Sequence, residues 1–268
     1  MHNNAVVIFM RRVCNRLRYW HDLIHASSKR HLVREIDAQK SANYIYQKLS
    51  AKDPCMIARY GSVELYCLTN YLGVQLGWRS FIKYIKGQSE AWWWIPQRLQ
   101  ELHNNAGFFS LSIPLVKQYC QLLLEDTKSL DILASWINKE TIIEDKLQHC
   151  QKIFLPHLEP YYASIPWTQA LAGKNVLVVH PFANQIRRQY ETNREKLFNN
   201  PAILPKFNLQ VLPAVQSMGG ESNGFTTWFD ALEYMKAEMD KIDYDICIIG
   251  CGAYGFHLAA HAKRMGKK

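Results

Sequence analysis

Arg59 and Glu64 are the residues whose types and spacing most invite chemistry. They bracket a glycine turn, Arg59-Tyr60-Gly61-Ser62-Val63-Glu64, that follows the apolar run Cys55-Met56-Ile57-Ala58. The run reads as a short buried strand. Gly61 permits a turn, and Ser62 is placed to cap a helix whose first turns are Glu64 to Leu68. A strand, a polar turn and a helix N-terminus present backbone N–H groups and the positive end of a dipole to one crevice. In that crevice Arg59 offers a fork of donors to phosphate or carboxylate. Glu64 offers an anion that holds a metal ion or accepts a proton. The alternative is that Arg59 and Glu64 pair with each other or face solvent.

A second glycine turn, Gly250-Cys251-Gly252-Ala253-Tyr254-Gly255, follows the apolar run Ile246-Cys247-Ile248-Ile249. Its G-x-G-x-x-G spacing suggests a dinucleotide site. However, the acidic partner expected about twenty positions on would fall past Lys268, and the motif closes the α/β pattern where it usually opens one. The turn therefore reads as facing a phosphate or an acceptor, with close helix–strand packing as the alternative. His180, at the end of another strand and fixed by Pro181, is a candidate base, phosphate donor or metal ligand. Gln216 lies in a further strand-end loop. Asp53, His157, Asp243 and Asp245 have weaker claims. No Ser-His-Asp order, nucleophile elbow or P-loop is present in the sequence.

The elements that must position these residues form an α/β chain. Residues 175–179, 209–212 and 245–249 read as strands and 183–198, 228–242 and 255–265 as helices, an alternation that implies a mainly parallel, Rossmann-like sheet with helices on both faces. The loops 59–64, 180–184, 213–217 and 250–255 are then expected to converge on one edge. The expected organisation is a basic helical extension over residues 1–40, then an α/β domain over 41–268 interrupted by an α-rich middle at about 86–168. Within that middle, residues 130–137 and 145–155 read as helical, with Trp136 as a packing anchor. Trp92, Trp93 and Trp94 cannot all face one core, so packing between units, or less directly a sugar platform, is expected there.

Net charge is +9, and the surplus is concentrated at the front in Arg11, Arg12, Arg16, Arg18, Lys29, Arg30 and Arg34. That balance favours an anionic partner, but no nucleic-acid groove is read from it. The rough helical spacing of Val13, Leu17, Tyr19, Trp20, Leu23 and Ile24 reads first as a helix packed on the domain with its basic side in water. The second reading is peripheral contact of residues 11–34 with an anionic membrane. Seven scattered cysteines with no C-x-x-C pair read as reduced thiols in a cytoplasmic protein, and no apolar run is long enough to span a bilayer.

The segment Ile57 to Leu65 resembles the opening motif of the GT-D-fold glycosyltransferases, bacterial enzymes that build surface polysaccharides and glycoprotein glycans from nucleotide sugars. That motif is an apolar strand, Arg, an aromatic, Gly, Asp, any residue and Glu; Arg59, Tyr60, Gly61 and Glu64 match it, and Ser62 stands where the family has Asp. Residues 245–253 resemble the family's late strand and glycine turn, which precede a helix and a final strand; that strand would begin where this sequence stops. The resemblance covers about residues 40–70 and 170–268. It implies sugar transfer from a nucleoside diphosphate sugar to a glycan or lipid-linked acceptor; the expected location is the cytoplasm, with peripheral contact at the inner membrane face through residues 11–34 as the second reading. Arg59 and Glu64 would be catalytic. Tyr60, Gly61, Ser62, His180, Pro181, Gln216, Gly250, Gly252, Ala253 and Gly255 would contact substrate, and Glu64 would hold Mn²⁺ or Mg²⁺. A hydroxyl at position 62 is a poorer ligand for a hard cation than a carboxylate. Two other functions remain open at the level of sequence. One is a non-catalytic nucleotide- or glycan-binding domain, and the other an NAD(P)-binding oxidoreductase built on the second glycine turn.

Overall fold

A computed structural model describes residues 5–25 and 31–268; Lys29 and Arg30 of the basic N-terminal group lie outside the described residues. The chain is α/β, and its strands are parallel, as the alternation requires. They form two three-stranded sheets, where the sequence suggested one Rossmann-like sheet. In the first, β1 (Ile57–Ala58), β2 (Ile132–Ser135) and β3 (Gln151–Phe154) lie in that order. In the second, β4 (Asn175–His180) is central, with β5 (Asn208–Pro213) on one side and β6 (Ile246–Ile249) on the other. The outer edge of β6 is met by the last residue. Cys247 N–H donates to the Lys268 carbonyl at 2.6 Å, and Lys268 N–H donates to the Asp245 carbonyl at 3.3 Å, the alternation of a parallel ladder.

The middle is less helical than expected. Helices α5 (Pro96–Ala106) and α6 (Ile113–Thr127) are there, but residues 130–137 contain β2, and 145–155 contain β3. The reason is local. Ile132, Leu133, Ala134 and Ser135 are all buried, and a short apolar run buried on every side has no period that distinguishes strand from helix. β2 then becomes the central strand of its sheet, so the middle completes that sheet with β1.

Five helices contribute to the main core: α3 (Ser62–Leu76), α5, α6, α8 (Trp228–Asp240) and α9 (Gly255–Arg264). Trp228 sits fully buried at its centre, stacked on Tyr254 at 4.9 Å and edge-on to Tyr119 at 5.2 Å. Two carboxylates lock α9 to its neighbours. Asp126, at the end of α6, accepts from His257 Nδ1 at 2.7 Å and from Arg264 at 2.6 Å. Asp131 accepts from Lys263 at 2.6 Å and from the Met56 backbone N–H at 2.9 Å, which ties α9 to the start of β1.

Helix α1 (Ala5–Ile24) packs on α4 (Phe81–Ile85) through a smaller cluster of Cys14, Tyr84, Ala91, Trp92 and Trp93, while Trp94 joins the main core. The three tryptophans thus divide between two packing units. Helix α2 (Ala38–Ser50) covers the β1–β3 sheet, and α7 (Ala183–Asn193) packs on β5 and β4. Among the described residues no helix is long and apolar enough to cross a membrane.

Candidate functional site

The first glycine turn is built from below. Tyr60 is buried: its hydroxyl pairs with Thr127 Oγ1 at 2.6 Å and its ring stacks on Phe256 at 4.8 Å. Its side chain therefore anchors the turn, and only its edge reaches the cleft. Its carbonyl accepts from Trp136 Nε1 at 2.9 Å and from Arg59 Nη1 at 3.3 Å. The Arg59 guanidinium lies 6.0 Å from the Trp136 ring centroid. Trp136, expected only as a packing anchor, thus positions both the turn and its arginine.

Gly61, not Ser62, occupies the N-cap of α3, and being glycine it supplies no side-chain cap; the Glu64 carboxylate accepts from its own backbone N–H in the first turn. The expected Ser62 cap is replaced because the chain is still extended at Gly61 (ψ 145°) and already helical at Ser62. Glu64 folds back over the α-carbon of Gly61, so that a Cβ there would overlap its carboxyl group. Burial raises the Glu64 pKa above the ordinary carboxylate value, against the opposing pull of its own backbone N–H and of Arg59.

The second glycine turn differs at each of its glycines. A Cβ on Gly250 would lie 2.7 Å from His180 Cδ2, so this position must stay small. Gly252 has φ +59°, which favours glycine. A Cβ on Gly255 would make only ordinary contacts. No side chain caps α9, which follows directly on the 3₁₀ turn Gly252–Tyr254.

The two turns meet. A cleft of about 310 Å³ runs between the edges of β1 and β6, with Arg59, Gly61 and Glu64 on one wall and Gly250, Gly252, Ala253 and Gly255 on the other. Tyr119, Leu123 and Phe256 also line it. Tyr119 and Leu123 gave no sequence signal, being ordinary buried positions on α6. Arg59 and Glu64 are the charged residues of the lining. Cys247 and Cys251 also border the cleft, but burial pushes the Cys251 thiol up to about 12 and Cys247 well above its ordinary value. Neither is a thiolate near neutrality.

His180, Pro181 and Gln216 lie on the far side of the second glycine turn. They line a neighbouring cleft of about 300 Å³ that shares Gly250, Cys251 and Gly252 with the first. So the four strand-end loops converge, but on two clefts separated by the 250–252 turn. The Phe182 N–H donates to His180 Nδ1 at 3.0 Å, which leaves the proton of the neutral ring on Nε2. Ser62 lines neither cleft. The weaker candidates are engaged elsewhere: His157 Nδ1 with Ser41 at 2.8 Å, Asp245 with the Asn175 N–H at 2.9 Å, and Asp243 with Lys267 at 3.3 Å. Asp53 is exposed. A larger opening of about 540 Å³ lies under α1, away from the strand ends. Among the described residues no group of three or more His, Cys, Asp or Glu side chains is arranged to hold a metal ion. No family model, no curated protein and no solved structure matches this chain.

Proposed function

We propose that the cleft between β1 and β6 binds a nucleoside diphosphate sugar and that the protein transfers the sugar to a glycan or lipid-linked hydroxyl. The observation that carries this reading is the convergence of Arg59 with the start of α3 and the N-terminus of α9 on one cleft, neither helix being capped by the side chain of its N-cap residue. Helix N-termini and a guanidinium together favour a diphosphate. The same groups stabilise the charge that develops on it as a leaving group. The likeness of residues 57–65 to the GT-D-fold glycosyltransferases points the same way.

In this reading the acceptor hydroxyl attacks the anomeric carbon, its proton passes to the Glu64 carboxylate, and the sugar–phosphate bond breaks to release the nucleoside diphosphate. Burial serves this role, because a carboxylate with a raised pKa is a stronger base near neutrality. Gly61 sets the position of Glu64 by leaving room for its carboxyl group, and Arg59 sets its charge environment. A divalent cation, when bound, would add positive charge at the diphosphate. In its alternative role Glu64 would hold that cation as the one protein carboxylate of the cleft, an arrangement suited to Mg²⁺, which commonly takes one or two carboxylates with substrate phosphates and water, and it would then not be the base. His180 Nε2–H and Gln216, across the 250–252 turn, would contact the acceptor or the far end of the donor.

The position of Ser62 outside the cleft favours one second reading, a domain that binds a nucleotide or glycan without turning it over. Thermal melting with UDP-, GDP- and dTDP-sugars and NAD(P), with and without Mn²⁺, separates the possibilities. Ligand at a hundredfold its Kd adds about 2.7 kcal/mol. The transferase reading expects one nucleotide sugar to raise Tm and to be consumed with an acceptor, with turnover lost in Glu64→Gln. Stabilisation without turnover selects the binding domain. Stabilisation by NAD(P) alone rejects the sugar-nucleotide site.

A further inference from the structure

Helix α1 is turned opposite to the expected way. Two of its four arginines face the body of the protein: Arg11 lies over the Trp93 ring at 5.4 Å and Arg18 over the Tyr84 ring at 4.6 Å, with Arg18 also paired to Glu90. Asn15 accepts from the Tyr84 hydroxyl, and Cys14 is the one buried residue of the helix. The apolar residues point away. Met10, Val13, Leu17, Trp20 and Ile24 are all exposed, Trp20 by 52% and Ile24 by 72%. They recur at alternating three- and four-residue steps, which places them on one continuous stripe. Phe9 borders the stripe, and Trp78 and Ile82, on the segment that α1 packs against, are also exposed. An apolar surface of this extent on a folded chain marks an interaction site.

The charges identify what covers it. Arg12 and Arg16 are exposed on the same helix, and the sequence has no Asp or Glu before Asp22. A second copy of α1 laid against the stripe would set arginines against arginines in either orientation, with no acid on the first four turns to offset them. An anionic bilayer surface accepts both features. The stripe enters the acyl boundary, Trp20 sits at headgroup depth, and Arg12 and Arg16 reach lipid phosphates. The arginines also keep the helix lying in the interface, since it is too polar to span. We infer that α1 docks this protein on an anionic membrane through the Met10–Val13–Leu17–Trp20–Ile24 stripe. This surface stands apart from the cleft and does not rest on the transferase reading.

Flotation of the full chain with lipid vesicles tests it. Binding is expected to vesicles of phosphatidylcholine with about 30% phosphatidylglycerol, and at least about tenfold weaker binding to phosphatidylcholine alone, since each surface arginine adds several-fold. Leu17→Glu with Trp20→Glu abolishes binding, and Arg12→Glu with Arg16→Glu weakens it about tenfold or more. All four side chains are exposed, so both variants keep the wild-type Tm and circular dichroism. Three results overturn the inference. These are no flotation with anionic vesicles, flotation unaffected by the stripe variant, or a wild-type dimer that the stripe variant converts to monomer with no lipid dependence. The last assigns the stripe to a second copy.

Discussion

Glu64 folds its carboxyl group back over the α-carbon of Gly61, so closely that the first carbon of any side chain at 61 would overlap it. Gly61 has φ −71°, a backbone conformation open to every residue. The nearest atoms a Cβ at 61 would meet all belong to the Glu64 carboxyl group, the far end of a flexible side chain. Gly61→Ala is therefore expected to turn that carboxyl group out of position at little cost in stability, within about 1 kcal/mol of wild type. Its loss of sugar transfer should approach that of Glu64→Gln. Transfer assays and melting curves on both variants check this; an active Gly61→Ala enzyme would show that the Glu64 position is not critical.

Glu64 also makes a pH prediction. Burial raises its pKa in the folded state above the ordinary carboxylate value of 4.5. Its protonated form is therefore favoured by folding, and the associated stability is full below 4.5 and lost as pH rises through the folded pKa. Glu64→Gln should accordingly be more stable than wild type at pH 7, with the advantage shrinking toward pH 4.5. In the same variant, transfer should fall at least about a hundredfold, as for loss of a general base. Chemical denaturation between these pH values, alongside single-turnover kinetics, tests both halves.

His257 makes the opposite pH prediction. Burial lowers its pKa below 6.5, against the pull of Asp126, and its Nε2 is buried with no hydrogen-bond partner. The unfolded chain binds the proton that the folded chain resists, so stability is full above pH 6.5 and declines as pH falls toward the folded pKa. His257→Asn should lose about 1–3 kcal/mol at neutral pH, because Asp126 keeps only Arg264 with certainty. It should also lose the part of the acid sensitivity that begins below pH 6.5. Denaturant melts of both proteins over this range measure it.

The second glycine turn offers a contrast between two alanine substitutions. Gly250→Ala places a Cβ 2.7 Å from His180 Cδ2, and should cost about 1–3 kcal/mol while displacing the imidazole. Gly255→Ala meets nothing closer than 3.6 Å, on a helical backbone. It should be neutral or stabilising by about 0.4–1 kcal/mol. Paired Tm measurements decide it: equal effects would mean that the close approach of His180 to Gly250 does not constrain the turn.

Part of this molecule was legible in its sequence. The strand–turn–helix units at 57–76, 175–193 and 246–264 follow from apolar runs ended by turn residues, and the structure has all three. The meeting of the two glycine turns is not a matter of one parallel edge, since β1 and β6 belong to different sheets; packing sets it, with Asp131 tying α9 to the start of β1. Three further things were decided only by packing. Residues 132–135 became the central strand of a sheet because neighbours bury them all round, which erases the periodicity that a solvated face would leave. Gly61, not Ser62, is the cap because the helix already begins at Ser62, a one-residue shift that spacing alone does not reveal. Finally, the sequence determined that α1 is amphipathic but not which side it turns inward. Tyr84, Trp93 and Glu90 offered Arg11 and Arg18 ring faces and a carboxylate, and that choice left the apolar stripe outside.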